Sequence, residues 1–210
     1  MTLWAIVPVK PLRRGKSRLS GVLSLEARTA LNCYLLSNTL ETLASVPDIE
    51  HSLVVSRDPE ALTIAREYGA RTVQEQGSPQ LNIALTRATM VAINHSVQGI
   101  IIVPADLPLL TVEDIREVVN RAVDPPVVVI TPDRHQQGTN ALLIEPPGLI
   151  KYEYGPGSFL KHCNQAKKVN ARLEICMRSS VALDIDLPED LELAGYELLE
   201  LKISDHRYRW

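Results

Sequence analysis

Continuous apolar runs alternate along this chain with stretches whose apolar residues recur at helical spacing. Leu3 to Val9 reads as a buried first strand. The chain then turns polar, with five cations between Lys10 and Arg18. Pro8 and Pro11 exclude a regular helix through that turn. Ser24 is an N-cap for a long helix in which Leu31, Leu35 or Leu36, Leu40 and Leu43 share a face, and Pro47 ends it. Leu53 to Val55 is a second strand. Asp58-Pro59-Glu60 starts another helix, and Gly69 stops it. Arg71 to Glu75 is a third strand, Gly77 to Gln80 a loop, and Leu81 to about His95 a helix.

The strongest strand signal is Gly99 to Pro104, apolar throughout as a central parallel strand covered on both faces should be, with Asp106 past its carboxyl end. Thr111 caps the next helix, with Asp114 in the capping-box place. Val127 to Thr131 and Asn140 to Ile144 follow as strands around the polar loop Pro132 to Gly138. Gly155 to Ser158 makes a tight turn, with Ser158 as cap of a helix from Phe159 to about Lys168. Leu173 to Met177 and Val181 to Leu183 read as edge strands. Asp186 to Asp190 opens a last helix through Glu200.

Strands alternating with helices predict an α/β fold: a mainly parallel central sheet, helices on both faces and right-handed crossovers. The later strands break the alternation and predict a small antiparallel insertion. The length of 210 residues, without repeat or linker, predicts a single domain over 1–210. A net charge of -3 leaves no global basic field for nucleic acid, and no run approaches the roughly 18 apolar residues of a membrane span. No charged region precedes the first apolar run, so we expect no signal peptide and a cytoplasmic protein. Cys33, Cys163 and Cys176 are too far apart for a zinc pattern and odd in number, which predicts reduced thiols.

The cations are therefore local, and a local cationic loop after a first strand suits the phosphates of a small ligand. Gly15-Lys16-Ser17 invites comparison with a P-loop, but the glycine that pattern needs five residues earlier is Lys10. What survives is Lys16, helped by Lys10, Arg13 and Arg18, meeting a triphosphate; a solvated basic turn is the plainer alternative. Asp106 suits Mg²⁺, which keeps waters and takes phosphate oxygens beside one or two carboxylates, or is an ordinary turn aspartate. Asp184 and Asp186 flank one residue, so an extended backbone points both at one place; Asp186 as the N-cap of the last helix is equally open. Gly138-Thr139-Asn140 and Gly155 to Ser158 offer close backbone approach and a helix N-terminus to an anion, with Lys161 and His162 nearby.

Taken together, Pro8-Val9-Lys10-Pro11-Leu12, Lys16-Ser17-Arg18-Leu19, Pro104-Ala105-Asp106-Leu107-Pro108, Gly138 to Leu142, Gly155 to Ser158 and Asp184 to Leu191 resemble the 2-phospho-L-lactate or phosphoenolpyruvate guanylyltransferases of deazaflavin coenzyme F-420 biosynthesis. The resemblance implies the Rossmann-like nucleotidyltransferase fold. It implies GTP held by the Val7 to Leu19 segment, with Val7, Val9, Lys10 and Lys16 as contacts, and Asn82 at the base or ribose. It implies Mg²⁺ on Asp106 with Asp184 or Asp186, and Lys16 and Asp106 as the catalytic pair. Thr139, Gly155 and Ser158 match positions that bind phosphoenolpyruvate or 2-phospho-L-lactate. Two positions depart from the family pattern: Gly15 stands where Ala is common, and Gln80 stands before Leu81-Asn82 where Gly is common. A related transferase with 3-phosphoglycerate or a molybdenum cofactor as acceptor, and a GTP-binding protein without turnover, are the alternatives. The tail Arg207 to Trp210 either frays or docks on a second copy to make a homodimer.

Overall fold

The computed structural model describes residues 2–77 and 80–195. Seven strands form one sheet: β1 (Leu3–Val9), β2 (Ile49–Ser56), β3 (Arg71–Gln74), β4 (Gly99–Ile102), β5 (Val127–Pro132), β6 (Thr139–Glu145) and β7 (Arg172–Ile175). Their order is β3-β2-β1-β4-β6-β5-β7. Neighbours pair in parallel except at β6, which runs antiparallel to both β4 and β5. The antiparallel element is thus one strand threaded into the sheet.

The helices are α1 (Leu25–Ala44), α2 (Pro59–Glu67), α3 (Leu81–Ile93), α4 (Val112–Asn120), α5 (Ser158–Lys168) and the short α6 (Ser179–Ala182) and α7 (Pro188–Leu193). Their starts follow from side-chain chemistry. Ser24 Oγ accepts the Ala27 N–H, Asp58 accepts the Glu60 N–H, and Thr111 and Asp114 bond each other's backbone reciprocally.

Period-two alternation in the buried strands sorts the core into two layers. Leu3, Ala5, Val7, Ile101 and Val129 meet Leu36, Leu40 and Leu43 of α1 and Ile115 and Val118 of α4. Trp4, Ile6, Ile100, Ile102 and Val128 meet Leu85, Ala88 and Ala92 of α3 and Ala166 of α5. A third, smaller cluster joins Leu19, Leu31 and Leu35 to Leu183, Ile185 and Leu191. It carries little of the core and positions much of the site. Cys163 and Cys176 are buried and Cys33 half-buried, all as free thiols, and burial pushes Cys33 up to about 11. Among the described residues no helix is long and apolar enough to cross a membrane.

Three expectations change. Val181 to Leu183 is not an edge strand, because the Arg178 carbonyl accepts the N–H groups of both Val181 and Ala182 and winds α6. Arg178 itself is held by the buried Asp114, its Nε 2.7 Å from Oδ1. Ser158 does not cap α5: Gly157, at φ 70°, is the N-cap and Ser158 the first helical residue. Asp186 does not cap α7; Leu187 holds that place, and Asp190 reaches back to accept the N–H groups of Asp186 and Leu187 at 2.8 and 2.6 Å. The expected run of the last helix to Glu200 and the Arg207–Trp210 tail lie outside the described residues.

Candidate active site

From β1 the chain crosses to β2 and β3 on one side, while β4 pairs on the other. The carboxyl ends of β1 and β4 therefore lie side by side at a switch point, where α/β sheets open a crevice. A cleft of about 360 Å³ lies there, lined among others by Pro8, Val9, Lys10, Lys16, Asp106 and Asp186. Val55, Arg57, Glu75, Gln80, Leu81 and Ala84 line its other end.

The loop after β1 is held from three directions. Leu12 is buried and its N–H donates to Asp58 Oδ2 at 2.7 Å; Asn32 Nδ2 donates to the Leu12 carbonyl at 2.6 Å; and the Arg14 and Gly15 N–H groups donate to the Pro11 carbonyl. Gly15 leaves room for Asn32: a Cβ there would sit 2.7 Å from Asn32 Nδ2, and that side chain would have to shift. Lys16 adopts the left-handed conformation at φ 56°, a conformation costly for a residue with a Cβ. That turn carries its side chain inward, where it is 6% exposed although its neighbours Ser17 and Arg18 are exposed.

Lys16 Nζ lies 3.1 Å from Asp106 Oδ2 and 3.7 Å from Asp186 Oδ1. The two acids come together because the Ile185 N–H donates to the Asp106 carbonyl at 3.1 Å. Leu183 and Ile185 bury themselves in the third cluster, so the intervening Asp184 and Asp186 are left to face the other way. Asp184 sits deeper. Asn140 Nδ2 donates to its Oδ1 at 3.3 Å and to the Val181 carbonyl at 2.9 Å. Burial, then the charge of Asp106, hold the Asp184 carboxyl above the usual carboxylate range, with Asp186 adding to it. Asp190, itself paired with Arg134 at 2.7 Å, fixes the backbone that presents Asp186. Among the described residues no group of three or more His, Cys, Asp or Glu side chains stands ready as a metal cage; the ammonium of Lys16 faces Asp106 and Asp186 together.

A second set of predicted residues gathers outside this cleft. Thr139 and Ser158 are buried beside His162, which is 0% exposed. The Glu153 N–H donates to His162 Nε2 at 3.0 Å, so the proton of the neutral ring is on Nδ1 and donates to Thr139 Oγ1 at 3.0 Å. Burial holds His162 down to about 4, which keeps it neutral. Ser158 Oγ donates to the same Thr139 oxygen at 3.3 Å. With both lone pairs of Thr139 engaged, its own O–H is left to donate elsewhere. Gly155, at φ 122°, turns the chain into α5 through a conformation closed to residues with a Cβ. The N-terminus of α5 is less open than expected, because the Ser158 and Phe159 N–H groups donate to the Gly155 and Gln137 carbonyls.

Val7 does not reach the cleft; alternation along β1 buries its side chain in the α1 layer. Asn82 does not line it either. Its Oδ1 accepts the Tyr154 N–H at 2.8 Å and its Nδ2 donates to the Tyr154 carbonyl at 3.3 Å, tying α3 to the segment before Gly155. Sequence reasoning missed Arg57 and Glu75 as parts of the site, and it placed Asn140, His162 and Asp190 in its motifs without their positioning roles. The first two follow β2 and β3 directly, and position after a parallel strand was the signal available.

The chain is similar to known proteins over most of its length. Residues 3–197 match the family model described as guanylyl transferase CofC like. The chain belongs to that family. A phosphoenolpyruvate guanylyltransferase of Rubrobacter xylanophilus is 39% identical over 191 residues, covering 91% of this chain and 92% of that protein. A 2-phospho-L-lactate guanylyltransferase of Methanocaldococcus vulcanius is 37% identical over 187 residues, 89% of this chain and 81% of that protein. Among solved structures, a nucleotide-diphospho-sugar transferase of Desulfovibrio desulfuricans G20 superposes with a TM-score of 0.74 at 14% identity, over 92% of this chain and 86% of that one. A Methanothermobacter nucleotidyl transferase gives 0.66 at 16% identity, over 95% and 99%. At those identities the structural likeness concerns the fold, which is the Rossmann-like nucleotidyltransferase fold expected of the family.

Proposed function

We propose that this chain condenses GTP with a three-carbon phospho-acid, releasing pyrophosphate and leaving a diphosphate-linked guanosine adduct, as a step of deazaflavin coenzyme F-420 biosynthesis. Phosphoenolpyruvate is the acceptor we put first, since the relative at 39% identity carries that name, with 2-phospho-L-lactate as the alternative. The observation that carries the reading is Lys16 facing Asp106 and Asp186 at the switch point of the sheet.

The acceptor's phosphate attacks the α-phosphorus of GTP and the bond to the pyrophosphate breaks. An ionised phosphate is already a nucleophile, so no general base is needed, and the protein's task is positioning and charge neutralisation. Lys10 lines the cleft on the path of the phosphates, and Lys16 meets the oxygens on which charge builds. The carboxylates of Asp106 and of Asp184 or Asp186 offer oxygen donors only, which fits a divalent cation of the Mg²⁺ type held by two protein ligands. Such an ion needs few protein ligands when phosphates supply the rest. When bound, the ion would offset charge on the phosphoryl oxygens and the departing pyrophosphate. The Thr139 hydroxyl, with both lone pairs filled by His162 and Ser158, is left to donate to the carboxylate or phosphate of the acceptor.

The test is a panel of phosphorylated acids with GTP and Mg²⁺, scored by pyrophosphate release and product mass. We expect turnover with phosphoenolpyruvate or 2-phospho-L-lactate. Turnover only with 3-phosphoglycerate or a molybdenum cofactor precursor, or GTP binding without pyrophosphate release on any acceptor, would overturn the reading.

A further inference from the structure

The two ends of the cleft differ in chemistry. At the β1–β4 end stand the cation and acids of phosphate chemistry. At the β2–β3 end the walls are apolar, formed by Pro8, Val55, Leu81 and Ala84, and two charged groups close it, Arg57 and Glu75. Arg57 directly follows β2 and Glu75 directly follows β3, and the Glu75 N–H donates to the Ser56 carbonyl at 2.8 Å. From β3 to β4 is roughly 14 Å at the usual strand spacing, so a nucleotide with its phosphates at Lys16 reaches this end with its base.

Glu75 is built in and yet incompletely used. Its side chain is 14% exposed. Oε1 accepts the Gln80 N–H at 3.2 Å, and Oε2 lies 3.6 Å from Arg57 Nε with no hydrogen bond among the described residues. Arg57 Nε is itself buried without a hydrogen-bond partner, although the same guanidinium donates through Nη2 to the Gly77 carbonyl. The guanidinium is thereby anchored beside the carboxylate. A fixed carboxylate oxygen in an apolar slot selects among bases by their edges. Guanine offers two adjacent donors, N1–H and the 2-amino group. Adenine and cytosine place a ring-nitrogen lone pair there, which a carboxylate repels, and uracil offers one donor.

We propose that Glu75 is the residue that selects guanine, its Oε2 accepting the N1–H and 2-amino protons of the base while Arg57 holds it in place. This also answers the departure at position 80: with a carboxylate to read the base, the Gln80 side chain is not required for recognition, and its contribution is the backbone N–H that fixes Glu75. The inference rests on reading this cleft as a GTP site.

The experiment is calorimetric titration of the full chain with GTP, ITP, 1-methyl-GTP and ATP in the presence of Mg²⁺. The unaltered protein is expected to bind ITP, which lacks the 2-amino group, and 1-methyl-GTP, which lacks the N1 donor, at least about tenfold more weakly than GTP. In Glu75→Gln the GTP affinity falls and the GTP-to-ITP ratio shrinks to within about twofold. Equal binding of GTP, ITP and 1-methyl-GTP by the unaltered protein overturns the inference while leaving the GTP site standing. So does a Glu75→Gln variant that keeps the original ratio. The nucleotide series on the unaltered chain decides the matter even if the variant fails to fold. An unaltered protein that binds none of the four overturns both this inference and the reading of the cleft.

Discussion

On the β1–β4 side of the site, Lys16 faces two acids that stay in contact with solvent: Asp106 is 28% exposed and Asp186 47%. On the β6–α5 side, Thr139, Ser158 and His162 are buried in a neutral hydrogen-bonded network. The charged half is held together by attractions that water partly screens, and its members can exchange one another for phosphate oxygens or a cation at modest cost. The neutral half gains from being dry: its hydrogen bonds are strong because nothing competes for them, and a missing partner would cost the desolvation of the one left behind. A site that must accept a highly charged nucleotide and release pyrophosphate is served by the first construction. A site that must present one hydroxyl in one direction is served by the second.

The comparison breaks most completely at the charged half. Lys16→Ala is expected to lower kcat by about a thousandfold while leaving the acceptor KM near its original value, because the charge it neutralises is largest during transfer. An effect confined to the acceptor KM in steady-state kinetics would contradict its role. Asp106→Ala should abolish metal-dependent turnover in a chain that still folds, checked by circular dichroism alongside the assay; near-normal activity would remove Asp106 from the machinery.

Ile185→Ala comes next, since it attacks the scaffold shared by Lys16 and the acids. Emptying a fully buried site should cost roughly 2–4 kcal/mol in chemical denaturation and loosen the extended segment that presents Asp184 and Asp186. An Ile185→Ala enzyme that loses stability without any loss of kcat would show that the third cluster does not set the acids.

The neutral half should reveal itself through acid. His162 binds a proton near pH 6.5 when unfolded and only at about 4 when buried. The unfolded chain therefore takes up protons first, and folding stability should be complete above pH 6.5 and fall progressively towards pH 4, by an amount on the order of 3 kcal/mol. In His162→Phe that stretch of the pH profile should flatten. The variant's KM for the acceptor should rise while its KM for GTP holds, a split that a merely structural role would not produce.

The smallest effect concerns Asp184. Its carboxyl is held above the usual range, so its stabilising contribution is present at low pH and lost as pH rises through the folded-state value. At neutral pH Asp184→Asn should raise the melting temperature of the ligand-free protein by on the order of a degree or two, while lowering turnover. A fall in melting temperature would mean that the Asn140 bond needs the charged partner.

Much of this architecture was legible in the chain. The strand–helix alternation, the caps at Ser24, Asp58 and Thr111, and the loop with Lys16 all rest on local preferences, which act over a few residues and leave a pattern in the sequence. The failures share one cause. Val181 to Leu183 has strand-like composition but is wound into a helical turn by the Arg178 carbonyl, and Arg178 is held by Asp114 from another helix. Asp186 has the composition of a cap, but Leu187 holds that place and Asp190 reaches back to bind the backbone there. Asn82 looks like a ligand contact and is instead spent on the backbone of Tyr154, 72 residues away.

By itself, then, the sequence determined the elements, the layering of the core and the short list of charged and glycine-bearing motifs, because propensity and hydrophobic periodicity are local. Tertiary structure alone decided which motifs share a site and which polar atoms remain unspent. It laid β1 beside β4, so that Lys16 meets Asp106 across 90 positions. It turned the Asp184–Asp186 segment by burying Ile185, and at the far end of the same cleft it left an oxygen of Glu75 with no hydrogen bond among the described residues. Hydrogen-bond satisfaction is a property of the whole packed molecule, and no window of sequence contains it.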